Sequence, residues 1–179
     1  MIPPLLDAVR ARVRDVPDFP RPGVVFKDLT PVLADPLLFH GVVSALAARV
    51  ATLDITEVVG IEARGFILGG ALAATLRRGF IPVRKPGKLP RKTLREASGL
   101  EYGDDALEVH MDALVRNSRV LVVDDLLAPG GTAQATEKLI RRAGGTVVGF
   151  AFLVELSFLR GAERLGADRI VSLLKYDRP

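Results

Sequence analysis

Two neighbouring acids and a pair of glycines lie close together in the chain and indicate a site for a phosphorylated sugar. Asp124 and Asp125 follow the apolar run 120–123, and Gly130, Gly131 and Thr132 stand where a helix is predicted to begin. Glycines let a backbone approach a ligand closely, and the N–H groups that open a helix attract a phosphate. Carboxylates beside that phosphate would repel a second phosphate but accept hydrogen bonds from sugar hydroxyls. The pattern therefore predicts a ribose phosphate site, and the alternative is an ordinary strand-to-helix turn.

The positive charge of the chain is concentrated in residues 77–95. That window holds eight cations and no acid, whereas the rest of the chain has 17 cations against 21 acids. Pro86, Gly87 and Pro90 prevent a continuous helix there, so we predict a loop that presents positive charge. A solvated surface or a nucleic-acid site are alternatives, but residues 84–95 have no aromatic side chain to stack on a base, which favours a small polyphosphate. Because the segment 84–105 is longer than an ordinary connection between two elements, we expect it to form a lid.

Composition excludes several classes of protein. The chain has 179 residues, of which 49% are hydrophobic, as expected of one globular domain. It has no cysteine and only two histidines, His40 and His110, which excludes disulfides, thiolate catalysis and cysteine-based zinc sites. The longest apolar runs, 66–76 and 143–154, are shorter than the roughly 18 residues of a membrane-spanning helix. With no secretory pattern at the N-terminus either, we expect a cytoplasmic protein with no membrane partner.

Strands and helices are predicted to alternate along most of the chain. Apolar or β-branched runs predict strands at 56–61, 80–83, 119–125, 146–156 and 169–174. Amphipathic or apolar runs predict helices from the capping residue Asp35 to about Leu53, at 66–77 and at 132–142. This order is typical of an α/β fold with a mostly parallel sheet, in which ligands bind beyond the carboxyl ends of the strands. Residues 16–36, with five prolines, are expected to be irregular, and 107–110 could form an antiparallel strand.

Several motifs resemble those of a known enzyme family. The stretch VLVVDDLLAPGGT (120–132) resembles the phosphoribosylpyrophosphate signature of the type I phosphoribosyltransferases. Further segments are similar to the adenine phosphoribosyltransferases within that family, namely PDFPRPGVVFKDLTPVL (17–33), ARGF (63–66), RKPGKLPRKT (84–93), LEYG (100–103) and VELSFLRG (154–161). The resemblance implies a single type I phosphoribosyltransferase domain over 1–179, with a mostly parallel central sheet flanked by helices, a small N-terminal hood at 1–35 and a flexible basic lid loop at 84–105. It also implies a homodimer.

The resemblance implies that the phosphoribosyl group of phosphoribosylpyrophosphate is transferred to adenine, giving AMP and pyrophosphate, with no nucleic-acid partner. Mg²⁺ would be the cofactor, bridged by substrate oxygens and not bound directly by side chains. The ribose hydroxyls would be held by Asp124 and Asp125, and Glu101 would handle the proton of the purine. The remaining implied contacts are Ala128, Pro129, Gly130, Gly131 and Thr132 for the 5′-phosphate, Arg64, Arg84 and Lys88 for pyrophosphate, Val25, Phe26, Lys27 and Leu156 for adenine, and Tyr102 in the lid.

Two positions in the phosphate loop bear on substrate choice and affinity. Ala128 stands where relatives that use hypoxanthine or guanine carry an acidic base, so any base catalysis must come from outside the loop, in agreement with Glu101. Pro129 stands where the family usually has threonine, and proline has neither the hydroxyl nor the N–H of that residue. Two alternatives stay open, namely transfer to another purine such as xanthine, or a non-catalytic regulator that senses phosphoribosylpyrophosphate. Such a regulator usually carries an added DNA-binding domain, for which 179 residues leave no room.

Overall fold

The computed structural model describes residues 4–98, 106–166 and 169–179. Its helices are α1 (Leu5–Arg12), α2 (Thr30–Ala34), α3 (Pro36–Val50), α4 (Gly65–Leu76), α5 (Gly131–Arg142) and α6 (Gly161–Leu165). Its strands are β1 (Arg14–Pro17), β2 (Val25–Asp28), β3 (Glu57–Ile61), β4 (Gly79–Val83), β5 (Thr93–Ala97), β6 (Ala106–His110), β7 (Arg119–Leu127), β8 (Thr146–Leu156) and β9 (Ile170–Tyr176). None of the helices in these ranges has the length and apolarity needed to cross a membrane.

Five parallel strands form the central sheet, in the order β4-β3-β7-β8-β9. All five predicted strands and all three predicted helices are present, and the predicted α/β fold with a mostly parallel sheet is confirmed. The helix that Asp35 caps is shorter than expected, since it ends at Val50. Asp35 Oδ1 accepts hydrogen bonds from the N–H groups of Leu37 and Leu38, at 3.0 and 3.1 Å, which explains why the helix begins there.

The sheet has a separate hydrophobic core on each face, because successive side chains of a strand point to opposite sides. On β7, Leu121 and Val123 pack with residues of α3 and α4. Val120 and Val122 instead pack with residues of α5 and α6 on the other face. Burial on both faces accounts for the nearly continuous apolar runs of β7 and β8. The rigid sheet that results holds the carboxyl ends of β3 and β7 side by side.

The expectation that residues 16–36 are irregular is wrong. β1 and β2 pair antiparallel and α2 follows them, so most of this segment is regular. Three of the five prolines lie where regular structure tolerates them: Pro17 ends β1, Pro31 falls in the first turn of α2 and Pro36 begins α3. The other two, Pro20 and Pro22, lie in the connection between β1 and β2.

The prediction of a loop across the basic segment is also wrong in part. Residues 93–97 form β5, which pairs antiparallel with β6, while the proline and glycine residues that indicated a loop are confined to 86–90. The strand expected at 107–110 is therefore confirmed as β6. This hairpin is attached to α5, because Glu96 forms ion pairs with Arg142 Nη1 at 3.0 Å and with Lys138 Nζ at 3.5 Å. The end of the predicted lid, with Glu101 and Tyr102, lies outside the described residues.

Candidate functional site

The loop between β7 and α5 is the predicted phosphate cradle, and its shape depends on glycine. Gly130 has φ +84°, a left-handed conformation, and is the N-cap residue before α5; it supplies no side-chain cap to the first N–H groups of the helix. A Cβ on Gly130 would lie 3.0 Å from the carbonyl oxygen of Gly161, and one on Gly131 would lie 2.7 Å from that of Ser98. Both glycines are therefore required by close backbone packing, and the uncapped helix end can bind an anion.

Two cavities lie along the carboxyl edge of β3 and β7, and Asp124 lines both. The first, of about 310 Å³, is bounded by the whole predicted phosphate loop, 128–132, together with Ser98 and Arg164. The second, of about 390 Å³, is bounded by Glu62, Ala63, Arg64, Lys85, Asp124 and Asp125. The pair of cavities can hold a ligand with two charged ends and a polar middle.

The two predicted ribose-binding acids have different surroundings. Asp125 is 3% exposed and its carboxylate contacts Arg64 Nε. Asp124 reaches the cavities, and its Oδ1 accepts a hydrogen bond from the Asp125 N–H at 2.9 Å. Burial, and secondarily the charge of Asp125, raise the pKa of Asp124 well above its ordinary value, although Arg64 acts in the opposite direction. Without a ligand, Asp124 is therefore harder to ionise than an ordinary aspartate.

The predicted pyrophosphate-binding cations are organised by Glu62, which the sequence analysis did not identify. Glu62 accepts hydrogen bonds from Arg84 Nε and Nη2 at 3.1 and 3.2 Å, and from the Lys85 N–H at 3.0 Å. Arg84 also donates to the carbonyl oxygen of Lys88 at 3.1 Å, but the exposed Lys88 side chain does not line either cavity. Lys85 lines the second cavity instead, so the structure brings Arg64 and Lys85 together there.

Of the cavity-lining residues that sequence analysis missed, only Lys85 carried a signal. It lies between Arg84 and Lys88 in the same cationic motif. Glu62, Ser98 and Arg164 carried no comparable signal, because an isolated charged or hydroxyl residue is usually solvated.

The predicted adenine-binding residues are only partly brought to one place. Phe26 of β2 is half-buried, packs edge-on against Phe19 with ring centroids 5.1 Å apart, and lies under the Arg64 guanidinium at 5.0 Å. Val25 precedes it on the strand, and Leu156 is 7% exposed at the end of β8. Lys27 stays a predicted adenine contact through its backbone groups, because strand alternation directs its side chain away from Phe26. Its Nζ pairs with Asp15 at 2.8 Å and lies 4.8 Å from the Tyr176 ring.

Known proteins with similar sequences and structures share this architecture. The model of the phosphoribosyl transferase domain family matches residues 27–173. An adenine phosphoribosyltransferase of Myxococcus xanthus is 55% identical over 172 residues, which covers 96% of this chain and 94% of that protein.

Solved structures agree with the sequence relatives. The crystal structure of the Rhodothermus marinus adenine phosphoribosyltransferase superposes with a TM-score of 0.90 at 52% identity, covering 96% of this chain and 98% of that one. The Saccharomyces cerevisiae enzyme, solved in complex with an imino-altritol bisphosphate and adenine, has a TM-score of 0.88 at 34% identity and covers 95% and 98% of the two chains. A family model that spans most of the chain, and relatives above half identity along nearly all of it, leave one assignment. This chain belongs to the phosphoribosyl transferase domain family and, within it, to the adenine phosphoribosyltransferases.

Proposed function

We propose that this protein transfers the phosphoribosyl group of phosphoribosylpyrophosphate to adenine and releases AMP and pyrophosphate, a reaction of purine salvage. The observation that carries the proposal is the position of Asp124 between two cavities. One cavity is closed by the uncapped start of α5, and the other contains Arg64 and Lys85. Phosphoribosylpyrophosphate has the matching form, with a phosphate at one end of a ribose and a pyrophosphate at the other.

Each part of that substrate has a proposed partner. The 5′-phosphate rests on loop 128–132, where the α5 N–H groups donate hydrogen bonds to it. The ribose hydroxyls donate to Asp124 and Asp125, because ionised carboxylates are strong acceptors. Arg64 and Lys85 contact the pyrophosphate, and Arg84 and Lys88 add positive charge from the adjoining segment, where Glu62 holds Arg84 in place.

The transfer breaks the bond between the ribose C1′ and a pyrophosphate oxygen and forms a bond between C1′ and adenine N9. Positive charge develops on the ribose while negative charge develops on the departing pyrophosphate, so cations around the pyrophosphate stabilise the transition state. The charged sugar is also open to attack by water, and a lid formed by the basic segment would reduce that loss. Adenine N9 releases its proton during the step, and we assign proton transfer at the purine to Glu101.

We propose that Mg²⁺ accompanies the pyrophosphate. Mg²⁺ prefers carboxylate and phosphate oxygens and usually keeps few protein ligands, so oxygens of the substrate would hold it. The carboxylates of Asp124 and Asp125 line the same cavity and would add negative charge near the ion, while no group of three or more His, Cys, Asp or Glu within the described ranges could hold a metal by itself. When bound, Mg²⁺ would offset the negative charge of the leaving group.

We also propose that the protein works in the cytoplasm as a homodimer. The lack of cysteine supports an environment in which disulfides are not used. Large apolar side chains on the surface, such as Ile67 and Phe80, support a second copy as partner, because pairing would remove them from water. Sedimentation equilibrium at micromolar concentration tests the dimer.

A comparison of four purine bases tests the reaction. The purified protein is incubated with Mg²⁺, phosphoribosylpyrophosphate and either adenine, hypoxanthine, guanine or xanthine, and nucleotide and pyrophosphate are quantified. We expect adenine to have the highest kcat/KM and to yield AMP and pyrophosphate in equal amounts. The double variant Asp124→Asn/Asp125→Asn, purified in parallel, controls for host enzymes. Preference for another base, or salt-sensitive nucleic-acid binding with no turnover, would overturn the proposal.

A further inference from the structure

Arg164 is a cation in the phosphate-loop cavity that neither the sequence motifs nor the proposed chemistry accounts for. It lies on α6, more than thirty residues beyond the loop in sequence, and its side chain lines the same cavity of about 310 Å³ as residues 128–132. Its side chain is exposed to solvent, so a charged ligand can reach it.

Close backbone packing brings α6 to the loop. A Cβ on Gly130 would lie 3.3 Å from the Cα of Gly161, and a Cβ on Gly161 would overlap the carbonyl oxygen of Ala128. α6 therefore begins directly against the loop, which only two glycines permit. Leu165, 1% exposed in the core shared with α5, fixes the other side of the helix. The packing of α6 on both sides thus fixes the backbone position of Arg164, which precedes Leu165.

The charge of Arg164 is not matched by an acid of the described residues. Neighbouring arginines have such partners: Arg160 pairs with Glu163 at 2.7 Å, and Arg169 pairs with Glu137 at 3.0 Å. No ion pair or hydrogen bond of the Arg164 side chain occurs within 4–98, 106–166 and 169–179. An arginine with no intramolecular partner at the wall of a cavity is suited to bind an anionic ligand.

The loop itself is short of one donor. Pro129 lines the cavity but has no N–H, so this position of the loop cannot donate to a phosphate. The carboxylate of Asp124, which lines the same cavity, disfavours a second negative charge nearby. A guanidinium in the lining of the same cavity would offset both effects, since it can donate two parallel hydrogen bonds to phosphate oxygens.

We propose that Arg164 binds the 5′-phosphate, so that this group is held by two helices, the N–H groups of α5 and the guanidinium of α6. The inference rests on the proposed function, because it takes the phosphate loop as the site of the sugar 5′-phosphate. It makes Arg164 a binding residue for phosphoribosylpyrophosphate and AMP, with no contact to the pyrophosphate at the other cavity.

The variant Arg164→Met keeps the length and apolar stem of the side chain and removes its charge. We expect the Kd for AMP, measured by calorimetry, to rise about tenfold. This is the lower end of the effect of losing a hydrogen bond to a charged group, because the site is exposed to solvent. The Kd for pyrophosphate should stay the same. The AMP affinity of the variant should also fall less steeply with added NaCl than that of the unaltered protein. Arg164→Lys, which keeps the charge but not the two-point geometry, should lie between the two.

Arg160→Met is the matched control, because it removes one arginine from the same part of the surface but not from the cavity. An unchanged AMP affinity in Arg164→Met would overturn the inference, as would equal losses for AMP and pyrophosphate or an equal effect of Arg160→Met. If Arg164→Met does not fold, an AMP affinity in Arg164→Lys equal to that of the unaltered protein overturns it. Failure of the unaltered protein to bind AMP would instead refute the proposed function itself.

Discussion

Glu62 and Arg84 form a two-point contact, with Arg84 Nε and Nη2 at 3.1 and 3.2 Å from the two carboxylate oxygens. Glu62 follows β3 directly and Arg84 follows β4 directly, so the parallel pairing of these strands brings the two side chains together. Burial raises the pKa of Glu62, but the hydrogen bonds from Arg84 and from the Lys85 N–H outweigh it and hold the pKa below the ordinary value of 4.5. Glu62 is therefore charged at neutral pH and keeps the start of the basic segment in position.

Replacing Glu62 tests that arrangement. Glu62→Gln removes the charge that pairs with Arg84, so we expect the free energy of unfolding at pH 7 to fall by about 1–3 kcal/mol. The KM for phosphoribosylpyrophosphate should rise several-fold, because Arg84 is no longer held. Since a lowered pKa stabilises the fold above the ordinary value, the stability difference from the unaltered protein should be complete at pH 7 and shrink as the pH falls below 4.5.

Denaturant titration at pH 7 and pH 4 measures that difference. Glu57→Gln, at the other end of β3, is the control and should leave the KM unaltered. A stability difference that is the same at both pH values would show that the charge of Glu62 is not what stabilises the segment.

Asp124→Asn should separate stability from binding. Because the pKa of Asp124 is raised, its protonated, uncharged form stabilises the fold; this contribution is complete below the ordinary value of 3.8 and is lost as the pH rises through the folded pKa, where the buried carboxylate becomes charged. Asparagine has no such charge and can still accept the Asp125 N–H. We therefore expect an unfolding free energy at pH 7 equal to or about 1 kcal/mol above that of the unaltered protein, together with an AMP Kd raised about tenfold. Lower stability, or unaltered AMP affinity, would contradict this expectation.

Asp125→Asn should act in the opposite direction on stability. Asp125 is buried and its carboxylate contacts Arg64, so the substitution leaves that guanidinium without its partner. We expect the free energy of unfolding to fall by about 1–3 kcal/mol and AMP binding to weaken as well. Denaturant titration and calorimetry under the conditions used for Asp124→Asn allow a direct comparison. Equal stability changes in the two variants would refute the different roles assigned to these neighbours.

Pro129→Thr should improve substrate binding. The substitution adds an N–H and a hydroxyl to a residue that already lines the phosphate cavity. Each new hydrogen bond to a charged phosphate is worth about 1.5–3 kcal/mol, so the Kd for phosphoribosylpyrophosphate should fall roughly tenfold or more in calorimetry. Pro129→Ala restores the N–H alone and separates the two contributions. An unchanged or higher Kd in Pro129→Thr would show that the proline costs no affinity.

Glu101→Gln tests the proton-transfer assignment, which rests on the family resemblance, since Glu101 lies outside the described residues. We expect kcat to fall by about 100-fold to 10,000-fold, the usual contribution of a general acid or base, with no change in the free energy of unfolding. Asp104→Asn, three residues away, is the control and should retain its turnover. Near-normal kcat in Glu101→Gln would remove this residue as the proton carrier.

The sequence alone determined the features that short contiguous stretches encode. The inner strands β3, β7 and β8 are buried on both faces and the edge strands β4 and β9 are buried in part, so their apolar runs can be recognised without knowledge of their neighbours. The loop 128–132 is likewise readable, because strand, acids, glycines and helix start follow one another directly. The same local reading was wrong for 16–36 and 93–97, where strands are stabilised by pairing with a partner strand and not by their own hydrophobic pattern.

Only the tertiary structure decided which charged side chains reach the cavities. Lys27 pairs with Asp15 because β1 and β2 place the two residues opposite each other, whereas Lys85 and Glu62 meet because β3 and β4 run in parallel. Arg164 reaches the phosphate loop because two glycines distant in sequence let α6 pack against it. Such placements depend on contacts between residues that are far apart in the sequence. Neither hydrophobic periodicity nor local motifs indicate these contacts.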